Sequence, residues 1–423
     1  MSLSDSLNGE GHPAAATRVL LAIAGLLVMR VGMQLLSVAT ADNLLVIGSV
    51  VALFATGVSL LVLAAVEVNM DRWGRQVAYG VLAVLGLATL AAMFARIIPV
   101  VGTDAQLFSR AAVIEFVRHG TNPFVVDMGP WIERGIGPPL ATPKIDGSLV
   151  TQLSYPAGAV LVFIPQMLTV GLTDLGLSVT LLAMAVGCVA LTIQMLPANL
   201  AVGGVVVWIM LRNLLFSAAG GVMWSMWMLP LLLGLRAWAG QRWLMGAAWL
   251  GISAGTKQFV WLIVPFLAVW VLREGGMRRL GVLFGAGLTT FSALNLPFWT
   301  LNPTAWVDGV LTPLAETPLI QLGNGVAFLA HHGVSLAYWW HSLAVGIVGV
   351  VCLVGYWLYF EQVKWAAWLA PPVILFMHSR SLMSYFGPWA AVAALAGLAL
   401  IGELRTGVVS QSLDSQEEAV ADA

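Results

Sequence analysis

The feature that most constrains this chain is a succession of long apolar runs that charge almost never interrupts. They are Val19–Thr40, Leu44–Val66, Val77–Ile98, Tyr155–Val170, Leu175–Leu196, Asn199–Phe216, Gly221–Leu235, Trp243–Gly255, Phe259–Leu272, Leu280–Trp299, Val334–Phe360, Trp365–Met377 and Tyr385–Leu404. A helix needs about 20 apolar residues to cross a hydrocarbon core roughly 30 Å thick. Inside lipid the backbone must satisfy its own hydrogen bonds, which restricts such runs to helices or closed barrels. The expected fold is therefore an all-α polytopic membrane protein with about 12–13 transmembrane helices. Composition agrees. Charged residues make up 9% of the chain and the mean hydropathy is +0.91, whereas soluble domains carry about 25% charged residues. The net charge of −1 gives no nucleic-acid footprint. Cys188 and Cys352 lie inside apolar runs and are expected to be buried thiols rather than a disulfide.

Orientation follows from the Lys and Arg residues of the short loops, which favour the cytoplasmic side. Arg72, Arg75, Arg236, Arg242, Arg273, Arg278, Arg279 and Lys364 belong there. The tail 1–18 and the acidic tail 405–423 then also face the cytoplasm, flanking a membrane domain over 19–404. Loops 102–154 and 301–333, the Lys257 turn and the His378–Ser384 loop face outward. The alternation closes only if one segment between Ser154 and Arg236 does not cross, and Tyr155–Val170, interrupted by Pro165, is the segment expected to be re-entrant or to lie at the interface. Within the 102–154 loop, Thr103-Asp104-Ala105-Gln106 has the form of a capping box. Leu107, Ala111, Ile114 and Val117 follow at helical spacing, and Gly120 and Pro123 stop the helix. A surface helix is expected, continued by an ordered loop containing Pro130, Pro138, Pro139 and Pro143.

Three polar groups stand out on this outward side. Asp104 opens the surface helix, where a carboxylate either serves chemistry or simply favours the helix dipole. Lys257 follows a short apolar run and precedes another, each of about 14 residues or about 20 Å of helix. The pair reads as a hairpin turning at Gly255-Thr256-Lys257, with the lysine either binding an anion or reaching for headgroups. His378, Arg380 and Tyr385 form the third group, in which Arg suits bidentate phosphate recognition; an ordinary inter-helix loop is the plain alternative. Arg30 and Arg96, in or near spans, are expected to pair inside the bundle, and Arg96 is also a candidate substrate contact. His331-His332 has no carboxylate or Cys at ligand spacing, so no metal is expected. No phosphate-binding loop or dinucleotide fingerprint occurs.

Three stretches of the sequence connect these groups. Gly102-Thr103-Asp104 through Gly120-Thr121-Asn122-Pro123-Phe124 resembles the first outer loop of the GT-C superfamily of glycosyltransferases, polytopic enzymes that use polyprenyl-phosphate sugars. Ser154-Tyr155-Pro156 resembles the Tyr-Pro that follows in the mannosyl- and arabinofuranosyltransferase branch. Gly251-Ile252-Ser253-Ala254-Gly255-Thr256-Lys257, then Pro265, resembles its Gly-rich helix ending in Lys. Order and spacing agree from about Val77 onward. The resemblance implies inverting transfer of mannose or arabinofuranose from a polyprenyl-phosphate donor to a hydroxyl of a lipid-linked glycan, on the extracytoplasmic face. Asp104 would be the general base and Lys257 would lie near the donor phosphate, with Arg380 and His378 as further phosphate contacts. Asn122, Tyr155 and Tyr385 would be substrate contacts. Two apolar runs precede the loop where simpler members have one, and no second acidic residue adjoins Asp104, so neither a divalent metal nor any other cofactor is expected. The competing class is a transporter or flippase of lipid-linked saccharides, and a third is a non-catalytic assembly subunit.

Overall fold

A computed structural model describes residues 12–38, 43–66, 68–98, 103–135, 141–171, 173–210, 213–311, 319–334 and 336–401. Gly102, Pro138, Pro139 and the acidic tail lie outside the described residues. The chain is mostly helical and is a polytopic membrane protein. Seven stretches among the described residues are long and apolar enough to cross a membrane: Ala15–Leu36, Leu44–Ala65, Met70–Phe94, Asp174–Met195, Gln258–Leu301, Tyr338–Leu358 and Met383–Ile401.

The main helices are, in chain order, α1 (His12–Leu36), α2 (Leu44–Ala65), α3 (Met70–Phe94), α4 (Asp104–His119), α5 (Asp174–Met195), α6 (Gly203–Ile209), α7 (Leu214–Ala219), α8 (Trp224–Ala239), α9 (Trp243–Ala254), α10 (Val264–Leu301), α11 (Pro303–Val310) and α12 (Tyr338–Leu358), with shorter helical pieces between them. Their starts are written locally. Asn43, Asn69, Thr173 and Asn213 each accept an N–H of the first turn of α2, α3, α5 and α7, which satisfies a donor that lipid could not.

Side-chain contacts define two ends of the bundle. At one end Arg75 donates to Leu196 O (3.4 Å), Arg236 to Gln194 Oε1 (3.2 Å), and the Arg279 guanidinium stacks on Trp243. At the other, Arg110 pairs with Asp174 and Thr103 donates to Gly221 O (2.7 Å). Between these ends run α5, then the broken pair α6–α7, then α8. The apolar run Asn199–Phe216 thus makes its passage as two short helices rather than one. Arg30 explains how the break is tolerated: it donates to Ile209 O (2.5 Å), at the end of α6. The expected acidic partner for this arginine is replaced by a helix C-terminus, where carbonyls lack intrahelical donors.

The segment after Tyr155 forms only Gly158–Leu161 and Ile164–Val170. At 1.5 Å per residue, neither piece is long enough for a roughly 30 Å core. Gln166 lies against Thr180 and Gly176 at the start of α5, so this segment stays at the Asp174 end.

Two hairpins complete the bundle. Trp238 packs on both Trp243 and Trp270 (5.2 and 5.8 Å between centroids), so α9 and the start of α10 run antiparallel and turn at Gly255–Lys257. Nominally continuous, α10 reverses at Gly276 (φ 70°, ψ −179°), a backbone region open essentially to glycine alone. Beyond it Phe291 returns to Trp261 (6.0 Å), and Thr290 donates to Ala248 O (2.9 Å).

The loop helix α4 has a separate core. Leu107, Phe108, Ala111, Phe124, Ile132, Leu153 and Phe298 are buried together. The buried stripe of α4 is Leu107, Phe108, Ala111, Ala112 and Val113, while Ile114 and Val117 are half-buried. The face is therefore rotated toward the N-terminal half, because residues 129–135 fold back along it. Half of the expected capping box forms. Thr103 Oγ1 accepts from Gln106 N (3.2 Å), but Gln106 does not reach back; its buried amide donates to Ser178 Oγ of α5 (3.1 Å). Gly120, at φ 65°, ends the helix.

Candidate active site

The polar segments that the sequence places on the outward side meet at the Asp174 end of the bundle. Leu319 bridges to Lys144, and Ile320 N donates to Pro143 O (3.2 Å). The two-residue strand β1 (Leu322–Gly323) pairs in parallel with β2 (Arg380–Ser381). Gln258, next to the Lys257 turn, donates to Ser154 O and to Val310 O, both at 2.7 Å. Buried Asn295 accepts from Ala157 N (2.8 Å) and donates to Gly255 O (3.4 Å). The loops are thus stitched to the hairpin turn by backbone bonds and by two amide side chains.

Asp104 is the first residue of α4 and is half-buried. Its Oδ1 accepts from Ala105 N (2.8 Å) and its Oδ2 from Thr142 N (2.9 Å). Two backbone donors hold the carboxylate in place and leave each oxygen a further lone pair. Thr142 is itself tied down by Val150 N, which donates to its carbonyl (2.9 Å).

Lys257 lies in the turn between α9 and the short 3₁₀ segment Gln258–Ile263. Its ammonium stands 3.7 Å from the centre of the Tyr155 ring, 5.6 Å from Phe259 and 5.7 Å from Tyr385. Rings at these distances attract a cation through their quadrupoles. Tyr155 arrives there because Gly158 N donates to Gly255 O (2.8 Å), and a Cβ at Gly158 would come within 2.6 Å of that oxygen. Burial pushes the Lys257 ammonium down to about 7; the like charge of Arg380 adds to this and Asp104 opposes it. Burial, then Tyr385 and Asp104, hold the Tyr155 hydroxyl well above its ordinary value, so it is a neutral donor.

Arg380 is presented by β2. His378 Nδ1 accepts from Arg380 N (3.0 Å), and Arg380 Nε is buried with no hydrogen-bond partner. His378 is pushed below its ordinary value by burial, against the backbone of Arg380.

Asp104, Lys257, Arg380, Tyr155 and Tyr385 are thus close enough to act on one another's charges, with His378 beside Arg380. Two other sequence candidates have local surroundings of their own. Asn122 is a turn residue: its Oδ1 accepts from Phe124 N (3.1 Å) and its Nδ2 donates to Phe298 O (3.3 Å). Arg96 is exposed, in a turn with φ 58° just past the end of α3, rather than paired in the interior. His332 lies against Phe328 with the two rings tilted (4.3 Å between centroids). Sequence reasoning missed Thr142, Phe259, Gln258 and Asn295. The last two carried a signal, an amide inside or beside an apolar run; a backbone donor such as Thr142 N carries none.

Chemically, two cations and one carboxylate lie within electrostatic range of one another, with Tyr155 and Tyr385 against Lys257. Such a set can hold an anion at the cations and accept a proton at the carboxylate. No protein-family model, curated protein or solved structure matches the chain.

Proposed function

We propose that this membrane protein is an inverting glycosyltransferase of the GT-C type that uses a polyprenyl-phosphate sugar. The observation that carries the proposal is the convergence of Asp104, Lys257 and Arg380 where the loops meet. In this reading the donor phosphate lies against Lys257 and Arg380, and the buried Nε of Arg380 gains the acceptor it lacks. The acceptor hydroxyl oxygen attacks the anomeric carbon from the face opposite the phosphate. The new C–O bond forms as the bond to the phosphate oxygen breaks, the electron pair leaves with the phosphate, and the hydroxyl proton passes to Asp104. A phosphate leaving group needs no general acid, so one carboxylate suffices. The two cations act on charge that develops at the departing oxygen. The sugar is mannose or arabinofuranose, the acceptor a lipid-linked glycan, and the active site faces away from the cytoplasm.

Purified protein in lipid nanodiscs, supplied with polyprenyl-phosphate mannose or polyprenyl-phosphate arabinofuranose and a glycolipid extract, should release polyprenyl phosphate and elongate the glycan. Flipping of a labelled lipid-linked saccharide in proteoliposomes with no transfer to any acceptor would instead favour the transporter class.

A further inference from the structure

Beside the charged site lies a cleft of about 510 Å³ between the loop after α4 and helix α11, inside the range of roughly 300–1,000 Å³ typical of small-molecule sites. Asp127, Thr151, Gln152, Asn302, Thr304 and Asp308 supply its polar groups, over a floor that includes Phe124. No Lys or Arg is among the described residues that line it, so it does not suit a phosphate. No group of three His, Cys, Asp or Glu placed to hold a metal ion occurs among the described residues. What remains is a surface of hydroxyls, amides and carboxylates, which matches a neutral ligand bearing many hydroxyls.

The cleft is also connected to the charged site. Thr151 follows Val150, whose N–H is bonded to Thr142, the residue whose amide holds Asp104. Tyr155, against Lys257, is three positions beyond Gln152. An extended chain advances at most about 3.6 Å per residue, so the Cα atoms of Gln152 and Tyr155 lie within about 11 Å of one another. The cleft therefore lies within a short oligosaccharide's length of Tyr155.

We propose that this cleft is a saccharide site that holds the neutral glycan acceptor by rings remote from the reacting hydroxyl. The proposal rests on the glycosyltransferase reading for the word acceptor, but not for the binding itself. Saturation-transfer NMR on the full-length protein in nanodiscs, with mannotriose and arabinofuranotriose as probes, tests it without turnover. At least one trisaccharide should receive magnetisation from the wild type and from Asp104→Asn. Thr304→Trp and Gln152→Trp, both at exposed positions, fill the cleft and should weaken that binding at least tenfold, while farnesyl phosphate binds within twofold of wild type. Absence of transfer to both probes, or equal binding by the two tryptophan variants that retain farnesyl phosphate, overturns the cleft. Trisaccharide binding lost in both variants, in a protein that transfers no sugar, would keep the cleft and remove the enzyme.

Discussion

Asp104 is held from two sides, by its own helix through Ala105 N and by the returning loop through Thr142 N. Asp104→Asn keeps an oxygen for one of these donors and removes the base. We expect turnover to fall by about 10²-fold or more, with the melting temperature in detergent close to wild type. Normal turnover in the variant would make Asp104 an anchor for the loop and nothing more. Lys257 is tested by pH. Its ammonium, lowered to about 7, must be protonated to attract an anion, so affinity for farnesyl phosphate should fall as pH rises above 7, by up to about tenfold per unit. The probe's own second ionisation works in the opposite direction at lower pH, so the comparison is with Lys257→Met. That variant should bind weakly and lose the decline above pH 7; the same alkaline decline in both proteins would assign it elsewhere.

At the scale of elements, the site depends on how the α9–α10 hairpin is tied to the loops. Asn295, on the returning half of α10, is buried and spans from Ala157 N to Gly255 O. Asn295→Leu leaves the Ala157 N–H buried without an acceptor, which costs about 1–3 kcal/mol. Thermal unfolding in detergent should show the loss, and transfer activity should fall because Tyr155 is no longer held over Lys257. A variant as stable and as active as wild type would mean that the Gly158–Gly255 bond alone aligns the two segments. The hairpin turn at Lys257 was legible in the sequence from the shortness of the two runs that flank it. Its tie to Tyr155 was not, because Gly158 and Asn295 are distant in sequence and carry no periodic signal. Likewise the capping box was half legible. Thr103 acts within one turn, whereas Gln106 is drawn to a residue of α5.

For the whole molecule, the proposal of an outward-facing site depends on which end of the bundle faces the cytoplasm. The end with Arg75, Arg236 and Arg279 carries the basic short loops, which favours the cytoplasm. Single cysteines at exposed Ser148 and exposed Gln241, in a protein with Cys188 and Cys352 replaced by serine, decide the matter. An impermeant thiol reagent added to intact cells should label Ser148→Cys and spare Gln241→Cys. The reverse pattern would invert the protein and move the proposed chemistry to the cytoplasmic face.

Against about 12–13 expected spans, seven stretches among the described residues are long enough to cross. The sequence by itself nonetheless determined the class of fold, several helix limits, the helix that begins at Asp104 and the turn that carries Lys257. These depend on properties that short stretches of chain possess alone: apolar length against the thickness of a bilayer, caps, and glycine and proline at helix ends. Tertiary structure decided which polar residues are neighbours. It brought Arg380, by way of a two-residue strand, to the same region as Lys257 and Asp104. It also formed the polar cleft, whose walls come from three separate stretches of chain. Such groupings arise from packing and backbone bonds between distant segments, and no local pattern of residues encodes them.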